Sequence, residues 1–383
     1  MRHLLALGFA LITFSSQAIW VTFSPVVSYV AKELGVSNEY VGYLAVLYPL
    51  LFLVLTVPSG ILLDKNFKLW LTFGATATFL GGFGRLGMPY NYLWLFICQL
   101  FAAIGQPFLL NAFAPFASMY YPQRRALVIS ILSLSMYLGA IFALATGYYL
   151  YTNGGITTLI LPSAAVSLVG LIVFILGAVR TSEISKETRS NLMITYVILR
   201  RDIWLLGGIL GLGIAVFDNL ATWLQPALET VGLGKIAGEA IALAIIAGLV
   251  GILFIPSIVT KRNIRTMYIR IIIPLIIIFF IIISIFQEKI IIYTLLTASG
   301  LLMIPAYPII MDWIAKFYKK ELQGSATGFV GLVSRAISVM LMFIAPRFIY
   351  EARLYFLFLT ISIFVAFVLS LLLPNDMKLS QYG

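Results

Sequence analysis

The chain has 383 residues, of which 62% are hydrophobic and 10% charged, with a net charge of +11 and a mean hydropathy of +1.05. A soluble domain could not hide that much apolar surface, so the composition excludes a soluble enzyme or binding module and indicates a polytopic membrane protein. One cysteine, Cys98, and one histidine, His3, exclude an intrachain disulfide, a multi-cysteine metal site and histidine catalysis within the membrane.

Twelve membrane spans are predicted in chain order, each close to the length that crosses a hydrocarbon core. They run Leu4–Val30, Glu39–Leu63, Leu69–Leu86, Tyr92–Met119, Ala126–Tyr151 and Ile156–Val179, then Ile203–Ala227, Ile236–Thr260, Ile264–Phe286, Ile290–Phe317, Gly324–Ile349 and Arg353–Leu373. The first apolar run continues to Val30 without a short small-residue cleavage site, so it reads as a span, not a secretory leader. The longest polar connection, RTSEISKETRSN from Arg180 to Asn191, falls almost at the midpoint. Residues 1–179 therefore read as one six-helix bundle, 180–202 as a cytoplasmic linker and 203–383 as a second six-helix bundle. Within the linker, Leu192, Tyr196 and Leu199 share a face and predict a segment lying along the membrane surface.

Basic residues set the orientation. With the N-terminus in the cytoplasm, 17 lysines and arginines fall inside, against 6 outside: Lys32, Arg85, Lys235, Lys289, Arg347 and Arg353. That bias predicts both termini cytoplasmic, and it reads the positive charge as a topology signal facing anionic headgroups, not as a nucleic-acid surface. A faint repeat supports two related halves: span two ends PSGILLDK (Pro58–Lys65) and span eight ends PSIVTKR (Pro256–Arg262), 198 positions later.

Polar residues inside the spans are the candidates for function, because a polar group in hydrocarbon must find a partner or line water. Span four carries Gln99, Gln106 and Asn111. Span one carries Gln17, Trp20 and Ser24, and Trp20 lies roughly 16 residues into the helix, far from the interface where tryptophan usually anchors. An indole in a cavity can hold a cation over its ring; plain helix packing is the alternative for Trp20. Three charges lie within the second half: Asp218, Asp312 and Arg335. At roughly 1.5 Å per residue, Arg335 is about 6 Å in depth from Asp218 and about 9 Å from Asp312. They read either as a structural ion pair or as an anion-binding arginine with a titrating acid. Arg270, near a span end, reads as snorkelling to the headgroups, and Glu239 as solvated.

The turn Gly60-Ile-Leu-Leu-Asp64-Lys65 resembles the G-x-x-x-D-(R/K) signature of the major facilitator superfamily. In that reading Gly60 permits a close helix crossing and Asp64 accepts hydrogen bonds from the N-terminus of span eleven, a gating set with Lys65 and Asp312. The chain further resembles the branch of that superfamily containing the feline leukaemia virus subgroup C receptor transporters. The matching features are Trp20, LLDK after span two, Arg85, Gln99, Gln106, Leu138-Gly139, AGLVG (Ala247–Gly251) and GSATGFVGLVSR (Gly324–Arg335). The resemblance implies that Trp20 and Gln106 line the substrate site and that the substrate is an amine, choline-like or haem-related. Two departures bear on this: Arg335 stands where the branch has a glutamine, and Phe217-Asp218-Asn219 offers no secure aromatic counterpart in span seven.

The expected fold is therefore an all-α membrane protein, a major facilitator fold of two pseudo-symmetric six-helix bundles. The expected function is secondary transport of a small organic solute (amine, choline-like, zwitterionic or haem-related) across the cell membrane by alternating access. The substrate would be bound by Trp20, Gln106, Arg335, Gln17, Asn111 and Asp218. Proton or sodium coupling stays open, as do a proton-coupled carrier of organic anions or drugs and, in another class, a non-transporting receptor or sensor. No cofactor, metal or nucleic acid is expected, nor catalysis; the expected partners are the solute and the bilayer, and the expected state is a monomer.

Overall fold

Backbone polar groups in hydrocarbon have no water to bond, so each apolar run closes its hydrogen bonds within a helix. In the computed structural model, residues 2–181 and 198–374 are described, with the backbone alone for Lys320 and Glu321. The helices are α1 (Arg2–Trp20), α2 (Val27–Leu34), α3 (Asn38–Lys65), α4 (Phe67–Gly84), α5 (Tyr92–Leu110), α6 (Phe113–Tyr120) and α7 (Arg125–Val179). The second half continues with α8 (Arg201–Glu229), α9 (Ala237–Lys261), α10 (Arg265–Ile285), α11 (Lys289–Met303), α12 (Ala306–Phe317), α13 (Lys320–Ile344) and α14 (Ala352–Leu371). Most of the predicted linker, with Leu192 and Tyr196, lies outside the described residues.

Ten helical stretches among the described residues are long and apolar enough to cross a membrane. The third and the fifth-sixth predicted spans account for the difference from twelve. Span three is α4, 18 residues long, which its Lys68, threonines and glycines leave less apolar than the other spans. Spans five and six together form α7, whose 55 residues would reach about 80 Å as one rod, far beyond a hydrocarbon core of about 30 Å. It is broken at Gly154 and Gly155, and Gly155 has φ +65°, a conformation that glycine adopts without a Cβ clash. Three other predicted spans are interrupted. Span one turns through a short 3-10 segment at Ser24–Val26, around Pro25, before α2. Span four breaks between α5 and α6 at Asn111 and Ala112, and span ten between α11 and α12 at Ile304 and Pro305. Proline lacks the N–H that a continuing helix needs, and the breaks in spans one and ten fall at Pro25 and Pro305.

The chain forms two compact units, Met1–Arg189 and Ser190–Gly383. In the first, α1 lies between the two legs of α7: a Cβ on Gly139 would fall 2.0 Å from the Phe14 carbonyl oxygen, and one on Gly177 2.4 Å from the Leu5 nitrogen. Contacts that close require glycine and bring the backbones together. In the second unit α8 pairs with α13 in the same way, at Gly211 against Ser334, and α9 with α11, at Gly300 against the Ala244 carbonyl. The 198-position offset of Pro58 and Pro256 recurs in Pro107 and Pro305, each at or near the break in span four or span ten.

Two of the charged residues near span ends depart from expectation. Arg270 does not snorkel: its guanidinium donates to the Ser370, Leu371 and Leu373 carbonyls at 3.0, 3.2 and 2.6 Å, capping the acceptor-rich end of α14. Arg85 is buried, not a loop charge. Glu239 is exposed, as expected, and accepts a hydrogen bond from the Tyr293 hydroxyl.

Candidate solute and gating sites

In the first unit, α1 and α5 position the polar candidates. The Trp20 indole N–H donates to the Ala45 carbonyl of α3 at 3.1 Å, so its polar edge joins two helices and only a small part of the residue is exposed. Gln99 likewise donates to the Ile19 carbonyl of α1 at 3.1 Å. Asn111 caps α5 and donates to the Thr56 carbonyl and the Ser59 hydroxyl, both at 2.8 Å, tying α5 to α3. Gln17 and Gln106 differ from these three. They are 4% and 7% exposed, yet neither amide has a hydrogen-bond partner among the described residues. Buried amides ordinarily find a partner, so these two are the first unit's candidates for contacting a solute.

In the second unit, α8 and α13 bring together the charges. Arg335 Nη1 lies 2.7 Å from Asp218 Oδ2, with 26% of the arginine side chain exposed and 3% of the aspartate. The Ser338 hydroxyl donates to the same carboxylate oxygen at 2.6 Å. Asp218 is thus enclosed with a cation and a hydroxyl, and Arg335 extends from that enclosure towards a more open side. Sequence reasoning did not single out Ser338; its signal was the three-residue spacing from Arg335, which puts both on one helix face.

Asp312 does not join this pair. Its carboxylate takes Arg265 Nη2 at 2.5 Å and Nε at 2.6 Å, the arginine 5% exposed and the aspartate 42%. Arg265 also donates to Asn263 at 3.2 Å, and Lys316 bonds the same Asn263 oxygen. Arg265 was hidden in the sequence among the basic residues of the span-end turn. A second cluster stands nearby in chain order: Asp202, in the first turn of α8, accepts from Tyr318 at 2.7 Å and Arg200 at 3.1 Å. Burial and the Asp202 carboxylate push the Tyr318 phenol up, and the hydrogen bond to Asp202 pushes the Arg200 guanidinium up.

Of the gating set in the first unit, Asp64 is half-buried and Lys65 exposed in the last turn of α3. The expectation for Gly60 needs correction: within its own unit an added Cβ would meet nothing within 4 Å, so no close helix crossing depends on it there. Close approach falls instead on Gly139, Gly248 and Gly251. These glycines pack helix against helix within their units. Among the described residues no cluster of histidine, cysteine and acidic side chains is arranged to hold a metal.

The fold is that of solved transporters. A D-xylose-proton symporter matches with a TM-score of 0.73 at 12% identity, covering 98% of both chains. A point mutant of the nucleoside transporter NupG matches at 0.74 and 13%, covering 98% of this chain and 99% of that one. A bacterial homolog to the human lysosomal transporter Spinster, in an inward-facing and unoccupied conformation, matches at 0.71 and 14%, covering 97% and 95%. In sequence, 149 residues are 29% identical to solute carrier family 49 member A3 of Xenopus tropicalis, covering 35% of this chain; the match spans only 30% of that relative's length. Residues 9–343 match the Major Facilitator Superfamily, and the chain, an all-helical multi-pass membrane transporter and not an enzyme, belongs to it.

Proposed function

We propose that this secondary transporter carries a small organic solute with an anionic or zwitterionic portion across the cell membrane by alternating access, coupled to protons through Asp218. The observation carrying the proposal is the Asp218–Arg335–Ser338 cluster. An enclosed carboxylate beside a partly exposed guanidinium lets a solute oxygen and a proton compete for the same pair. In the first unit, Gln17 and Gln106 supply amides without a hydrogen-bond partner among the described residues, and the Trp20 ring supplies an apolar or cationic contact.

The feline leukaemia virus subgroup C receptor branch suggests amine, choline-like or haem-related solutes, and of these the ones that carry an anionic group fit this proposal. The partial match to solute carrier family 49 member A3 is consistent with it in part. Arg335 favours a second reading, a proton-coupled carrier of organic anions, because a fixed cation repels a simple cationic solute. The division into residues 1–179 and 203–383 about a linker, cytoplasmic termini and a monomeric state complete the proposal.

The test is flux into proteoliposomes of a labelled panel spanning cationic, zwitterionic and anionic solutes, under pH or sodium gradients. The proposal expects saturable uptake of a zwitterion or anion driven by the pH gradient. Uptake only of purely cationic solutes, or saturable binding without flux, would overturn it.

A further inference from the structure

At one end of the second unit, α8, α10 and the start of α14 border an open cavity of about 370 Å³, within the size range of small-molecule sites. Its walls are fixed by hydrogen bonds. The Thr230 hydroxyl donates to the Ala227 carbonyl at 2.7 Å and accepts from the Ala352 N–H at 3.3 Å, tying the first turn of α14 to α8. Ser284, in the last turn of α10, donates to the Ile281 carbonyl at 2.7 Å. The Gln287 amide nitrogen donates to the Ser284 carbonyl at 3.4 Å, and its side-chain oxygen remains an acceptor by type.

Two opposite charges, Glu351 and Arg353, line the cavity, and both are exposed. Glu351 is the N-cap residue of α14, yet its carboxylate makes no capping bond to that helix. Among the described residues neither group belongs to an ion pair. A purely anionic ligand would meet the Glu351 carboxylate, and a purely cationic one the Arg353 guanidinium. A ligand carrying both charges complements both. Its anionic part is favoured further by the first turn of α14, where the helix presents the positive end of its dipole.

The surroundings distinguish a lipid from a soluble zwitterion. Three membrane-crossing helices end at this cavity, which places it at the depth of the headgroups. Tyr350, on its wall, is exposed, as tyrosines at that depth commonly are. Beside it Ile285, Phe286 and Leu354 are also exposed, an apolar rim that acyl chains would cover and a small polar solute would not.

We propose that this cavity binds the headgroup of a zwitterionic phospholipid, its phosphate against Arg353 and its amine against Glu351. The acyl chains run along Ile285 and Leu354. The site lies within one unit, about three helical turns along α8 from Asp218, and is separate from the solute-contacting residues proposed above.

The test is thermal unfolding of the purified, delipidated full chain in detergent, a readout needing no transport. It is titrated with phosphatidylethanolamine, with phosphatidylglycerol of the same acyl chains, or with water-soluble glycerophosphoethanolamine. Wild type should show a saturable rise in melting midpoint with phosphatidylethanolamine. Half-saturation by phosphatidylglycerol, which lacks the amine, should need about tenfold more lipid. Glycerophosphoethanolamine at the same concentrations should give no rise. Glu351→Gln and Arg353→Gln change exposed side chains and should fold normally. Glu351→Gln should erase the preference between the two lipids, and Arg353→Gln should raise the half-saturating concentration of both about tenfold. Equal half-saturation by the two lipids in wild type would overturn the proposal, as would a preference unchanged in Glu351→Gln. A rise with glycerophosphoethanolamine equal to that with the lipid would overturn it in favour of a soluble zwitterion.

Discussion

Breaking the Asp218–Arg335 pair from each side should give unequal costs. Stranding one member of a buried ion pair costs about 3–5 kcal/mol. That range applies to Arg335→Gln, because the carboxylate left behind is only 3% exposed and keeps Ser338 alone of its two bonded partners named above. Asp218→Asn instead takes the carboxylate away from a guanidinium that is 26% exposed. Water screens and solvates it, so the expected cost falls to about 1–2 kcal/mol. The double variant, with an amide at each position, strands no charge and should recover stability relative to Arg335→Gln, for a coupling of about 2–3 kcal/mol. With about 2–4 °C per kcal/mol for a unit of this size, Arg335→Gln should lower the melting midpoint by about 6–20 °C. The assay is melting of all four proteins in one detergent at one scan rate. Additive losses in the double variant, or an Arg335→Gln midpoint equal to wild type, would show that the pair does not hold α8 to α13 and would refute the reasoning.

Three further outcomes are expected. Asn111→Ala should cost about 1–3 kcal/mol in melting experiments, because it leaves Thr56 and Ser59 without their bonds to α5; Gln106→Ala should change stability by less than about 0.5 kcal/mol and raise the KM for solute. Gly139→Ala should destabilise by at least about 1–3 kcal/mol through its clash with the Phe14 carbonyl, whereas Gly60→Ala should be neutral or slightly stabilising by comparison. A cysteine replacing exposed Lys261 in a Cys98→Ala background should resist an impermeant maleimide applied to intact cells, since the basic-residue bias places it inside; labelling there would invert the orientation.

Hydropathy made the apolar membrane-crossing helices legible. Lost to the sequence were features that depend on which neighbour a helix meets. Gly60 and Gly139 look alike in one dimension, but only Gly139 has another backbone at van der Waals distance in its unit. Arg270 and Arg85 both sit near span ends, where a charge reads as snorkelling or as part of a loop. One is drawn to the bare carbonyls ending α14 and the other is enclosed beside Ser163 and Phe23. The charge pairing failed in part for the same reason: depth along a helix put both Asp218 and Asp312 within reach of Arg335, while the azimuth that gives Asp312 to Arg265 comes only from packing. Breaks at Pro25 and Pro305 had a local signal, yet proline inside a membrane helix often leaves it continuous, as Pro49 and Pro58 do in α3.

The internal repeat places Trp20 and Asp218 at equivalent positions, 198 residues apart, the offset shared by the two proline pairs. At this position each unit bonds a neighbouring helix of its own, Trp20 to α3 and Asp218 to α13. The two side chains differ in one decisive property: a carboxylate exchanges a proton in the accessible pH range and an indole does not. If the shared position contacts solute in both units, recognition draws on both while proton coupling resides in the second alone. Trp20→Phe should then raise the KM, and through the lost bond to Ala45 lower stability by about 1 kcal/mol, without changing how accumulation responds to the pH gradient. Asp218→Asn should do the reverse, abolishing gradient-driven accumulation while solute exchange across the membrane continues. Proteoliposome accumulation ratios with and without the gradient, alongside counterflow, measure both. Gradient-driven accumulation that survives Asp218→Asn, or is lost in Trp20→Phe while exchange remains, would place the coupling group elsewhere.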